Sequence, residues 1–176
     1  MLLTISGLPG SGTTTVGKLL AEHYGVEMIS AGDVFRGLAK ERGMTLAEFG
    51  SLAESDPSID IEIDKRQREI ANRSDDLILE GRLAGHMAAN ALKLWIKAPM
   101  EVRVRRIVER EGSSFDVRLK ETMGREASEA LRYKEIHSID INDLSIYDVV
   151  IDSSRWDQFA ITDILIRAID GYGGFK

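Results

Sequence analysis

The chain is predicted to be an α/β protein with three layers: a five-stranded parallel sheet with helices on both faces. Three observations predict this. Short apolar runs alternate with helical patterns along the 176 residues. The first apolar run passes directly into a glycine-rich turn that opens a helix. A hydrophobic content of 43% at this length is enough for one sizeable core and one compact domain.

Strands are expected at Leu2–Ser6, Val26–Ser30, Asp76–Glu80, Ala91–Lys97 and Asp148–Asp152, each a short run rich in apolar residues. Between them lie helical patterns over Thr13–His23, Gly32–Arg42, Leu46–Glu54, Ile59–Asn72, Met100–Glu111, Phe115–Ile136 and Asp157–Ile169. In the first helix Val16, Leu19, Leu20 and the following Tyr24 form a buried stripe. Strands separated by helices pair in parallel, and ligands on such sheets bind beyond the carboxyl ends of the strands. Two stretches, Glu41–Asp64 and Gly112–Asp143, are too polar to be read as core. There are no repeats and no low-complexity tracts.

The turn after the first strand is Gly7-Leu8-Pro9-Gly10-Ser11-Gly12-Thr13-Thr14-Thr15. It fits the phosphate-cradling pattern G-x-x-x-x-G-K-[ST] at each fixed position except one, where Thr13 replaces lysine. Such a turn aims successive backbone N–H groups at one point, and the helix behind it adds its positive dipole end. Thr14 stands where a hydroxyl that ligates Mg2+ belongs. The plainer alternative is a strand-to-helix turn that binds nothing, with threonine as its N-cap. Replacing the lysine removes one preorganised positive donor, a deficit of about 3 kcal/mol of transition-state stabilisation. Lys18 is one helical turn too far along and reads as a solvated lysine. The missing charge must then come from arginines elsewhere.

Candidates follow the second and third strands. Ser30-Ala31-Gly32-Asp33-Val34-Phe35-Arg36 places Asp33 at the start of a helix and Arg36 in its first turn. Asp33 reads equally as a helix cap and as a ligand contact. Leu77-Ile78-Leu79-Glu80 is an apolar strand ending in an acid suited to Mg2+ and its waters, with Arg82 facing the same crevice. The alternative for Glu80 is a pairing with a neighbouring arginine. Further on, Arg118, Arg125 and Arg132 recur every seven residues, close to two helical turns, and so share a helix face. Glu121, Glu126 and Glu129 interleave with them. For Arg118 a solvated, salt-bridged face is the expectation. For Arg125 and Arg132 the lysine deficit favours a polar helical hairpin that closes over bound phosphates and excludes water.

Composition narrows the function classes. A net charge of −6 argues against a general nucleic-acid binder. The absence of cysteine excludes disulfides and thiolate metal sites and fits a reducing compartment. No apolar run approaches the ~20 residues that span a bilayer, and no basic region followed by a long apolar core opens the chain. A soluble, cytoplasmic monomer without membrane or nucleic-acid partners is expected. Arg outnumbers Lys, 15 to 8, and Arg is the better fork for phosphate oxygens.

Taken in order, Gly7–Thr15, Ile29–Arg36, Asp56-Pro57-Ser58-Ile59-Asp60 with Ile63-Asp64, Glu80–Gly85, Arg125–Arg132 and Leu144–Asp148 through Asp152–Trp156 resemble the nucleoside monophosphate kinases, and among them the archaeal-type cytidylate kinases. The resemblance covers nearly the whole chain. It implies a P-loop kinase fold that moves the γ-phosphoryl group of ATP, with Mg2+, onto CMP or dCMP. It also implies a core of residues 1–32, 74–111 and 144–176, an acceptor segment at about 33–73 and a lid at about 112–143. By that resemblance, Gly7–Thr15 hold the donor, with Thr14 and Glu80 on the metal. Arg36 and Arg82 clamp the acceptor phosphate, and Arg125 and Arg132, with Thr13, act at the transferred group. Asp33 is a candidate on the acceptor side, Asp60, Asp64 or Gln67 are candidates for reading the acceptor base, and Asp152–Arg155 lie near the donor adenine. Thr13 departs from the general kinase pattern, in which lysine stands there. Two alternatives stay open: a kinase for AMP or UMP, and an ATP-binding module with vestigial catalysis.

Overall fold

A computed structural model describes residues 1–73 and 76–175. The expected core boundary at residue 74 lies outside the described residues. Five strands form one parallel sheet: β1 (Leu2–Ser6), β2 (Glu27–Ser30), β3 (Leu77–Glu80), β4 (Leu92–Lys97) and β5 (Val149–Asp152), in the order β2-β3-β1-β4-β5. All four pairings are parallel. β1 lies at the centre, and successive strands are added first to one side of it and then to the other. Its carboxyl end is therefore the switch point where doubly wound sheets open a ligand crevice.

The helices are α1 (Thr13–Tyr24), α2 (Ala31–Glu41), α3 (Leu46–Ser55), α4 (Ser58–Arg73), α5 (Ala84–Met87), α6 (Met100–Glu111), α7 (Phe115–His137) and α8 (Gln158–Tyr172). Alternation along the strands divides the core. Leu3, Ile5, Ile78, Leu94 and Ile96 turn to one face and pack against Val16 and Leu20 of α1 and Ile161, Leu165 and Ile169 of α8. On the other face Leu79 and Trp95 meet Leu83, Met87 and Tyr147. Sequence periodicity did not reveal α5, which is too short to show one. It docks where Gly85 N–H donates to Ser6 Oγ at 3.1 Å, and a Cβ on Gly85 would stand 2.7 Å from the Tyr147 ring.

One expectation is corrected. Glu41–Asp64 is not uniformly outside the core: α2, α3 and α4 enclose a small apolar cluster of their own, with Val34, Leu38, Phe49 and Ile59 buried. The polar average of that stretch concealed it, because within the stretch only Phe49 and Ile59 are fully buried in the cluster, and α2 supplies the rest from before it. The Gly112–Asp143 stretch is closer to expectation. On α7 the buried residues are Thr122 and Glu129, and Ile141 beyond the helix reaches the second face of the sheet.

Candidate active site

The loop Gly7–Gly12 leaves the carboxyl end of β1 and enters α1 at Gly12, whose φ is +101°. No side chain caps the N-terminus of α1, so its first N–H groups remain free to meet an anion. A threonine N-cap, the alternative that would have closed this site, is not formed. Gly10 is needed on two counts: its φ is +81°, and a Cβ there would stand 2.5 Å from the carbonyl oxygen of Arg103.

The residue in place of lysine has a partner. Thr13 Oγ1 donates to Glu80 Oε1 at 2.7 Å, and Thr14 Oγ1 lies 3.4 Å from the same oxygen. Burial pushes the Glu80 carboxyl above its usual range, and the two threonine hydroxyls pull it back only in part. A carboxylate and a hydroxyl side by side at the mouth of a phosphate loop form a hard oxygen donor set that fits Mg2+, an ion held by few protein ligands and by phosphate oxygens. Among the described residues no group of three or more His, Asp or Glu side chains is placed to hold a metal ion.

The loop faces a cleft of about 1660 Å3. Drug-sized ligand pockets are typically ~300–1,000 Å3, so this cleft has room for two nucleotides. Cations line it from every side: Arg36 on α2, Arg82 after β3, Arg106 and Arg110 on α6, and Lys120, Arg125 and Arg132 on α7. Arg82 is held below its usual pKa by burial first, and the charges of Arg125 and Arg132 add to the effect. Three guanidiniums that repel one another in a cleft form an anion site in waiting. Carboxylates pair with them: Arg82 with Glu129, Arg125 Nε donating to Glu129 Oε1 at 2.9 Å, and Arg132 with Asp60 at 3.0 Å.

Of the other expected site residues, Asp60, Asp64 and Gln67 also line the cleft. Asp64 lies 2.6 Å from His137 of α7. Burial pushes the Asp64 carboxyl up, opposed by the His137 charge. Asp33 is not part of the lining. It closes a capping box with Ser30 and pairs with Arg36 at 2.6 Å. Partial burial would raise the Asp33 carboxyl, but the Ser30 and Arg36 hydrogen bonds outweigh it and hold the group low. Lys18 is exposed and outside the cleft. Of Asp152–Arg155, Ser153 lines the cleft, and Trp156, Asp157 and Gln158 continue that wall. Asp152 instead accepts from Ser154 N–H at 2.8 Å.

Sequence reasoning placed α6 but missed the role of its arginines. Arg106 donates to the carbonyls of Gly10 and Ser11 at 3.3 and 3.4 Å and to Ser153 Oγ and O at 2.9 and 2.7 Å. Arg103, buried at 4% exposure, donates to Pro9 O at 3.1 Å and pairs with Glu126. Together they brace the loop from behind and tie it to α7. The only signal for them was a run of arginines on an otherwise amphipathic helix.

A profile of the cytidylate kinase-like family matches residues 2–155. The chain belongs to that family. Among curated relatives, a cytidylate kinase of Methanococcoides burtonii is 82% identical over 175 residues, covering 99% of this chain and 100% of the relative. One from Halobacterium salinarum is 52% identical over 98% of this chain and 91% of its own. The cytidylate kinase-like fold extends further in solved structures. A shikimate kinase from Bacteroides thetaiotaomicron superposes with a TM-score of 0.64 at 15% identity, covering 97% of this chain and 98% of that one. An uncharacterized protein from Eubacterium ventriosum reaches 0.74 at 24% identity over 97% and 98%. No helix among the described residues of this cytidylate kinase-like chain is long and apolar enough to cross a membrane.

Proposed function

We propose that the chain transfers the γ-phosphoryl group of ATP to CMP or dCMP, giving ADP and CDP or dCDP. The observation that carries this reading is the cluster of Arg82, Arg125 and Arg132, which reach one cleft from two distant segments, opposite a phosphate loop that lacks its lysine. Such a cluster supplies the charge that Thr13 cannot. The relatives named cytidylate kinase supply the acceptor class.

In this reading Gly7–Thr15 cradle the donor phosphates through backbone N–H groups. Arg36 and Arg82 clamp the acceptor phosphate, with Asp33 holding Arg36 in place. Arg125 and Arg132 move from Glu129 and Asp60 onto the phosphates as the lid (112–143) closes over the acceptor segment (33–73) and the core. Trp156, in the wall beyond Ser153, lies on the donor side. Thr14 and Glu80 would hold Mg2+, which would neutralise phosphate charge, and Thr13 fixes the Glu80 carboxylate. Direct in-line transfer needs positioning and charge neutralisation rather than a covalent intermediate. In this reading the chain acts as a monomer in the cytoplasm.

Incubation with labelled ATP–Mg2+ and a panel of monophosphates tests it. Rapid formation of CDP and dCDP is expected, with Arg36→Ala and Arg82→Ala weakening acceptor use. Tight ATP binding without transfer to any monophosphate would overturn the reading. So would wild-type turnover by a variant with Thr13, Arg125 and Arg132 all replaced by alanine.

A further inference from the structure

Glu126 follows Arg125 on α7, yet its carboxylate pairs with Arg103 of α6 and takes no part in lining the cleft. Both side chains are largely buried. A guanidinium carries five N–H donors, and in Arg103 each has a partner. Nε donates to Ala98 O at 3.0 Å. Nη1 donates to Pro9 O at 3.1 Å and to Glu126 Oε1, and Nη2 to Glu126 Oε2 at 3.2 Å and to Met100 Sδ at 3.5 Å. Arg103 therefore has no donor to spare for a phosphate. Its job is mechanical.

The strut bears on the loop at one peptide. Gly10 lies so close that a Cβ would stand 2.9 Å from the Arg103 Cα, and Pro9 O is held by the guanidinium. Pro9 O and the Gly10 N–H belong to one planar trans peptide and point opposite ways. With the oxygen held behind the loop, the N–H is turned toward the cleft that Pro9 and Gly10 line. We propose that Glu126 is a positioning residue for the donor: its carboxylate fixes the Arg103 fork, and the fork aims the Gly10 N–H at the donor phosphates. This rests on the kinase reading above and deepens it. A forked carboxylate pair is planar and directional, so the loss of one charged oxygen tilts the guanidinium. Glu129 and Asp60 give up their arginines to phosphate, whereas Glu126 keeps its own, because Arg103 does not reach the cleft.

The test joins calorimetric titration with ADP–Mg2+ to steady-state kinetics with ATP–Mg2+ and CMP. Glu126→Gln keeps the side-chain shape and removes the charged fork. It should weaken ADP binding and lower kcat/KM for ATP at least about 10-fold, the worth of one hydrogen bond to a charged group. KM for CMP should stay within about twofold, since no acceptor contact is lost. A merely structural pair predicts otherwise. Arg103→Met combined with Glu126→Leu replaces a buried ion pair by apolar groups of similar size, an exchange that folds commonly tolerate. That double variant should melt near the wild-type temperature and still bind ADP at least about 10-fold more weakly. Wild-type ADP affinity in the folded double variant overturns the proposal, as does a folded Glu126→Gln variant that loses CMP use as much as ATP use.

The wild type gives a readout of its own. Coupling between two sites runs in both directions, so ADP–Mg2+ alone should slow amide exchange over 122–130 more than CMP alone does. Equal slowing by the two overturns the proposal, and this comparison decides alone should the variants fail to fold. A wild type that binds ADP–Mg2+ but phosphorylates no monophosphate sinks the kinase reading, and the binding and exchange measurements still decide this inference.

Discussion

Arg106 makes four hydrogen bonds that no motif announced, and they explain how a loop built of glycines holds a fixed shape. Two go to the carbonyls of Gly10 and Ser11, and two to Ser153, whose own hydroxyl donates to Ser11 O at 2.7 Å. Arg106→Ala should therefore lower kcat/KM for ATP by about 10–100-fold through misplacement of the loop, read by varying ATP at saturating CMP; an unchanged value would show that the loop is self-supporting. Glu80 makes the opposite case, a residue kept against stability. Burial raises its folded pKa above the unfolded value, so its protonated form is favoured in the fold. Stability from this group is then present at low pH and lost as pH rises from the ordinary carboxylate range through the raised pKa. Glu80→Gln keeps an acceptor for Thr13 and removes the buried charge. It should stabilise the protein at neutral pH by about 1 kcal/mol, about 3 °C in Tm, while turnover with Mg2+ collapses. The gain in Tm should shrink as pH falls; a variant less stable than wild type at neutral pH would refute the assignment.

At the scale of elements, α2, α3 and α4 behave as a small folding unit attached to the sheet. Capping boxes start α2 and α3, Ser30 with Asp33 and Thr45 with Glu48, and Phe49 and Ile59 close the cluster beneath them. Phe49→Ala should cost about 3–5 kcal/mol, and a urea melt should show it as loss of the segment; a change below about 1 kcal/mol would mean that the cluster does not hold the segment. The sequence made some of this legible and hid the rest for physical reasons. Strands, the loop and α6 are read within a residue or two, because β1, β3 and β4 are continuous apolar runs and Met100–Glu111 is strongly amphipathic. Arg36, Arg82, Arg125 and Arg132 are found because each follows a strand or repeats at helical spacing. Arg103 and Arg106 are not, because bracing carbonyls of a distant loop leaves no local pattern. Nor could spacing show that Asp33 turns away from the cleft to cap α2, or that Glu129 is the carboxylate set between Arg82 and Arg125.

The molecule as a whole is a rigid sheet to which one long helix is fastened mainly by charge. α7 contributes little to the apolar clusters and leaves Val117, Met123 and Leu131 exposed. It is held instead by Arg103–Glu126 at the loop brace, Arg82–Glu129 in the cleft, and Arg132–Asp60 and His137–Asp64 at α4. Three of these four pairs place a cleft residue against a group that nucleotide phosphates or a base would claim. Nucleotides would therefore replace these ion pairs with stronger bonds to phosphate, at the same positions and on the same helix. Elements held by few apolar contacts open at low free energy, and a ligand that binds only the closed form suppresses that opening. Amide hydrogen exchange over 115–137 should accordingly be far faster than in β1 and β4 without ligand. It should slow by at least about 10-fold with ADP–Mg2+ and CMP together, and by less with either alone, because Arg82, Arg125 and Arg132 are all satisfied only when both sites carry phosphate. Equal protection with one nucleotide or two would show that α7 answers to a single site and that the arginine cluster does not couple them.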